Sequence, residues 1–83
     1  MKAVWKYPIA GIGHPVKVPC GARFLSAQMQ DGSLCVLALV DPDAPLEVRQ
    51  LLVVGTGQPF PGGEYIGTVQ RGPFVWHVFE VNR

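Results

Sequence analysis

Between its glycines and prolines this chain nowhere sustains the i, i+3, i+4, i+7 apolar stripe of a helix; its apolar residues fall into short β-rich runs. That pattern predicts an all-β protein. The clearest unit spans Ala22 to Val40, where Asp31-Gly32 separates two such runs and supplies the positive-φ residues that a two-residue type I′ turn demands. Counting outward from the turn sets Gln30 against Ser33, Met29 against Leu34, Ala27 against Val36 and Leu25 against Ala38. One face of this hairpin is then wholly apolar and belongs in the core: Leu25, Ala27, Met29, Leu34, Val36 and Ala38. The other face, which carries Phe24, Ser26, Gln28, Cys35, Leu37 and Leu39, grades from polar at the turn to apolar at the open end and calls for partial cover.

A second hairpin is expected from Tyr65 to Val81, with Arg71-Gly72 at its tip. That loop sets Val69 against Phe74 and Gly67 against Trp76, the glycine making room for the indole. Its closing strand, Phe74 to Glu80, has apolar and aromatic side chains at both parities, so it needs cover on both faces. Glu47 to Val54 reads as a further strand after the turn-rich Asp41–Pro45, with a short helical turn over Pro45–Arg49 as the alternative there. Lys2–Ile9 and Pro15–Pro19 supply the rest. An open sheet this apolar would expose aggregation-prone edges, so the expected assembly is a small antiparallel barrel or two-layer sandwich of about six short strands.

Composition narrows the function classes. The 83 residues are enough for a single domain, 1–83, with no second core. With 48% hydrophobic residues, 16% charged residues and a formal charge of +1, the chain is neither disordered nor a bulk electrostatic partner for nucleic acid or membrane. Any anion would have to be held by a few local cations. So little charged surface on a small body favours a homo-oligomer. The longest apolar run, Leu34 to Val40, is too short to span a bilayer as a helix. Two cysteines make no disulfide framework and Met1–Lys6 holds no uninterrupted apolar stretch, so a reducing cytoplasm is expected.

Candidate chemistry is sparse. His14 and His77 have no ligand spacing that matches a zinc module, and no metal or cofactor is expected. Cys35 sits in an apolar strand as a packing residue, Cys20 lies on a turn, and neither Ser26 nor Ser33 occupies a nucleophile elbow. The segment most like a site is Gly55-Thr56-Gly57-Gln58-Pro59-Phe60-Pro61-Gly62-Gly63, whose glycines permit close backbone approach. Thr56 and Gln58 would give it a hydroxyl and an amide, and the proline-flanked Phe60 an exposed ring for stacking. Arg23 and Arg49 complete an anion site if they converge on this loop, where a guanidinium can grip a phosphate or carboxylate. His77, on the same strand face as Val75 and Phe79, is the remaining candidate; its competing role is a hydrogen-bonded structural histidine.

Val4–Ile9, Pro19–Leu25, Gly55-Thr56-Gly57 and Phe74–Glu80 together resemble a family of very short proteins found in bacteriophage and prophage genomes. The resemblance covers nearly the whole chain. It implies an accessory product made in the cytoplasm of an infected bacterium, and it carries over no catalytic residues. On this basis the expected function is non-enzymatic: an oligomer that sequesters a small anionic, nucleotide-like ligand and so antagonises a host defence. The alternatives are an inhibitor that occludes a bacterial host protein and, with no paired carboxylate or His/Cys constellation to support it, a small hydrolase.

Overall fold

The computed structural model describes residues 1–81 and contains two antiparallel sheets and no helix. Seven strands follow in order: β1 (Ala3–Pro8), β2 (Gly13–Pro19), β3 (Arg23–Gln30), β4 (Ser33–Val40), β5 (Leu46–Gly55), β6 (Glu64–Arg71) and β7 (Phe74–Val81). Each run expected from the sequence forms one of them, the two amino-terminal pieces included. The three-stranded sheet has the order β1-β4-β3 and the four-stranded sheet the order β2-β5-β7-β6. The two stack as a sandwich rather than closing into a barrel. β5 begins at Leu46, so the Pro45–Arg49 segment is extended and not helical.

The hairpin at Asp31-Gly32 forms as the sequence predicts. Both turn residues have positive φ, 50° and 78°, and the register from Gln30–Ser33 through Ser26–Leu37 holds. It then breaks. A bulge between Phe24 and Ser26 leaves Leu25 as the extra residue, so Phe24 and not Leu25 faces Ala38. The consequence reverses one expectation: Phe24 packs on the core, while Leu25 is 43% exposed.

The second hairpin differs at its tip. Arg71 pairs with Phe74, so the loop is Gly72-Pro73, with Gly72 at φ +57° in the first loop position, where a II′-type turn requires positive φ. Each opposition therefore moves by two residues: Val69 faces Trp76 and Gly67 faces Val78. Trp76 still meets a glycine, but across the other ladder. It pairs with Gly55 of β5, where a Cβ would lie 3.3 Å from the indole. Gly67 has a different task. A Cβ there would sit 2.7 Å from the Ala27 nitrogen, so the glycine lets β6 of one sheet lie directly on β3 of the other. A second bulge, at Ile66, occurs on β6 beside this contact.

The core lies between the sheets and is built from small branched residues: Val36, Ala38 and Val40 from β4, Val16 and Val18 from β2, Leu51 and Val53 from β5, and Val78 from β7. β7 sits between β5 and β6, so the strand with apolar residues at both parities is central in its sheet, with Val78 facing inward and Phe79 outward. Tyr7 from β1 also packs inward. Its hydroxyl oxygen is buried with no hydrogen-bond partner among the described residues, and burial raises the phenol pKa. Among the described residues no helix is long and apolar enough to cross a membrane.

Candidate ligand-binding site

Strand parity divides the four-stranded sheet into an inner face toward the core and an outer face. The ladders place Val54, His77 and Thr68 in one outward row across β5, β7 and β6, with Leu52, Phe79 and Tyr65 in the next. The Gly55–Gly63 loop leaves β5 and folds over these rows. Gly63 allows it to do so: at φ +83°, a Cβ there would overlap the Glu80 carbonyl. Phe60 then reaches Phe79 edge to face, with ring centroids 5.4 Å apart, and Tyr65 meets the same ring at 5.7 Å.

Four of the six predicted residues come together here. Thr56, Gln58, Phe60 and His77 line an open groove of about 230 Å³ with Val54 and Phe79. His77 is held through both ring nitrogens: Nε2 is 2.7 Å from the Thr56 hydroxyl and Nδ1 is 3.0 Å from the Thr68 hydroxyl. Thr68 in turn lies 2.6 Å from the Tyr65 hydroxyl. A neutral imidazole has one donor and one acceptor, so the proton order along Thr56–His77–Thr68–Tyr65 has two directions. In one the Thr56 hydroxyl is left to donate outward; in the other the Tyr65 hydroxyl is. Gln58 also has a structural part. Its amide oxygen accepts from the Gly55 nitrogen at 2.5 Å and pins the turn, leaving the amide NH₂ for a ligand.

The two arginines do not line this groove. Arg49 is on the inner face of β5, where its guanidinium donates to both carboxylate oxygens of Glu80, from Nη2 at 2.8 Å and from Nε, and to the Ala22 carbonyl at 2.8 Å. Glu47 is 3.3 Å from Nη1, and the Phe24 ring lies 5.0 Å from Cζ. The Glu80 hydrogen bond raises the Arg49 pKa, burial opposes it, and the charges of Glu80 and Glu47 add to it. Arg23 opens β3 and shares a separate polar recess with Arg49, Glu64 and Glu80. A recess holding two carboxylates is a poor place for a phosphate.

Sequence reasoning missed Thr68 and Tyr65. Thr68 follows from the hairpin register once the tip is placed, because it opposes His77. Tyr65 does not, since a separation of three residues puts it on the opposite face from Thr68 in a regular strand. The Ile66 bulge rotates it back. Cys20 is exposed and Cys35 buried, both as free thiols, and no group of three His, Cys, Asp or Glu among the described residues is placed to hold a metal ion.

A family described as "Domain of unknown function (DUF7352)" matches residues 1–83. The chain belongs to this family. No curated protein and no solved structure matches it. In this DUF7352 chain the groove at Thr56 and His77 has a chemistry of its own. The Thr56–His77 contact has the spacing of a nucleophile and base, but the far nitrogen of His77 meets a threonine hydroxyl instead of a carboxylate. The arrangement suits hydrogen bonding to a ligand beside an aromatic wall.

Proposed function

We propose that this DUF7352 protein is a non-enzymatic binding protein that captures a small nucleotide-like ligand on the outer face of its four-stranded sheet. The observation that carries this is the His77 imidazole, held between the Thr56 and Thr68 hydroxyls beside the exposed ring of Phe60. A ring fixed at both nitrogens is preorganised, and the open end of its hydrogen-bond chain is ready for a polar edge of a heterocycle. Phe60, 70% exposed, offers the face on which a base stacks.

The groove is smaller than the few hundred Å³ of a typical small-molecule site. A second copy of the chain supplies the missing wall and a cation for the anionic part of the ligand, which makes the functional unit a homo-oligomer. The resemblance to phage and prophage proteins gives the setting: an accessory product in the bacterial cytoplasm that withholds a nucleotide signal from a host defence.

The test combines native mass spectrometry with calorimetric titration of adenosine monophosphate and adenosine. Binding within an oligomer is expected, weakened about tenfold by Thr56→Val and by Phe60→Ala, in line with one lost hydrogen bond or one lost stacking partner. Nucleotide binding that neither substitution changes refutes the site. A monomer that ignores nucleotides but retains one host protein supports the occlusion alternative, for which the exposed Phe60, Tyr65 and Phe74 side chains would be the contact surface.

A further inference from the structure

At the end of the sandwich away from Arg49 the two sheets part. The chain crosses from β1 to β2 through Ile9–Ile12, and the β6–β7 tip stands opposite, which leaves a cleft of about 550 Å³ between them. Its floor is Ile9 and Val53, both buried, with Leu34 beside them; Trp76 and Phe74 form one wall, their rings stacked at 6.0 Å and 29°. Ile12 and Phe74 stand exposed at the rim. One charged residue lines this apolar space: Arg71, which shares the inner face with Phe74 through their cross-strand pairing. Arg71 forms no salt bridge among the described residues, in contrast to Arg49.

The volume falls within the range of small-molecule sites, and the lining defines the ligand class. A polyanion would have to desolvate several charges against walls that offer one partner. A neutral hydrocarbon would fill the walls and leave the guanidinium unused. We infer that the cleft binds a free amphipathic monoanion, with its carboxylate or sulfonate on Arg71 and its apolar body against Trp76, Leu34 and Val53. The guanidinium fork takes a planar carboxylate through two parallel hydrogen bonds, while the aromatic wall takes a chain or ring by contact alone. This site is separate from the Thr56–His77 groove, since the cleft opens between the sheets and the groove on the outer face.

The experiment titrates decanoate, its neutral counterpart decanol, and anilinonaphthalene sulfonate into the full chain, following Trp76 fluorescence in a Trp5→Phe background and amide shifts by NMR. Decanoate and the sulfonate are expected to bind more tightly than decanol, with shifts at Ile12, Val53 and Phe74. Arg71→Gln is expected to weaken both anions about tenfold, the loss of a charge-assisted hydrogen bond, and to leave decanol unchanged. Phe74→Ala, at an exposed position, is expected to weaken all three while circular dichroism stays unchanged. Equal binding of decanoate and decanol overturns the inference, as does an Arg71→Gln protein that binds decanoate normally. Preferential sedimentation with phosphatidylglycerol vesicles would place the anion in a membrane, and dye binding that falls as protein concentration rises would make a second copy the occupant; either result also overturns it.

Discussion

Arg49 and Arg71 lie on the same inner face of the same sheet, at opposite ends, and their surroundings have nothing in common. Arg49 is closed in by Glu80, Glu47, the Ala22 carbonyl and the Phe24 ring, so its charge is spent on holding β5, β7 and the start of β3 together. Arg71 stands over an apolar cleft with no ionic partner among the described residues. A guanidinium with four hydrogen bonds to its neighbours is a fastening, whereas one without an ionic partner beside apolar walls is open to an anion. What separates the two roles is the presence of carboxylates on the neighbouring strands, not the residue type or its strand face.

Breaking the fastening should have the largest effect. Arg49→Met leaves Glu80 half-buried without its partner and is expected to cost about 2 kcal/mol in urea unfolding, less than a fully buried pair because both side chains keep some solvent contact. Adding Glu80→Leu should restore stability to within about 1 kcal/mol of the native protein, since the uncompensated charge is then gone. A double variant as unstable as the single one would mean that Arg49 acts through Phe24 and Ala22 instead.

A smaller effect is expected from Tyr7, partly buried against the core. Its hydroxyl has no partner among the described residues, so Tyr7→Phe is expected to stabilise the protein by about 1 kcal/mol at neutral pH. The sign of the pH dependence follows from the raised phenol pKa. The fold favours the neutral phenol, so this contribution is complete below the unfolded-state value near 10 and is lost as pH rises through the higher folded-state value. Arg49 adds no slope in that window, because its pKa is raised from a value already higher. Thermal melts from pH 8 to about 11 should therefore fall less steeply for Tyr7→Phe than for the native chain. The smallest expected change is at Arg71, where Arg71→Gln should leave stability within about 0.5 kcal/mol by the same melts, since no interaction is removed. A larger loss would mean that Arg71 has a structural partner, and the contrast with Arg49 would disappear.

The first hairpin was legible because Asp31-Gly32 allows essentially one turn, and its register holds as far as Ser26. The position of Leu25 was not legible, because the turn fixes a register and does not encode the bulge at which Phe24 takes its place beside Arg49. At the second tip, Arg71-Gly72 and Gly72-Pro73 are both plausible loops. The two loops differ by two residues in every pairing and share the same parity, so either leaves Trp76 and Val78 on one face. The groove could be found because Thr56, Gln58 and Phe60 belong to one loop and His77 to the strand beneath it. The arginines could not be placed, because the Arg49–Glu80 pair spans 31 positions and exists only when β5 lies beside β7.

The contact of Gly67 with Ala27 has a mechanical corollary. The sheets touch along β3 and β6, while β1 and β2 belong to different ladders and share no rungs. The backbones of the two sheets thus come closest along one line, like the spine of a book, and side chains of the core fill the space beside it. A methyl group added at Gly67 would strain that spine first, because the added carbon would meet the Ala27 backbone.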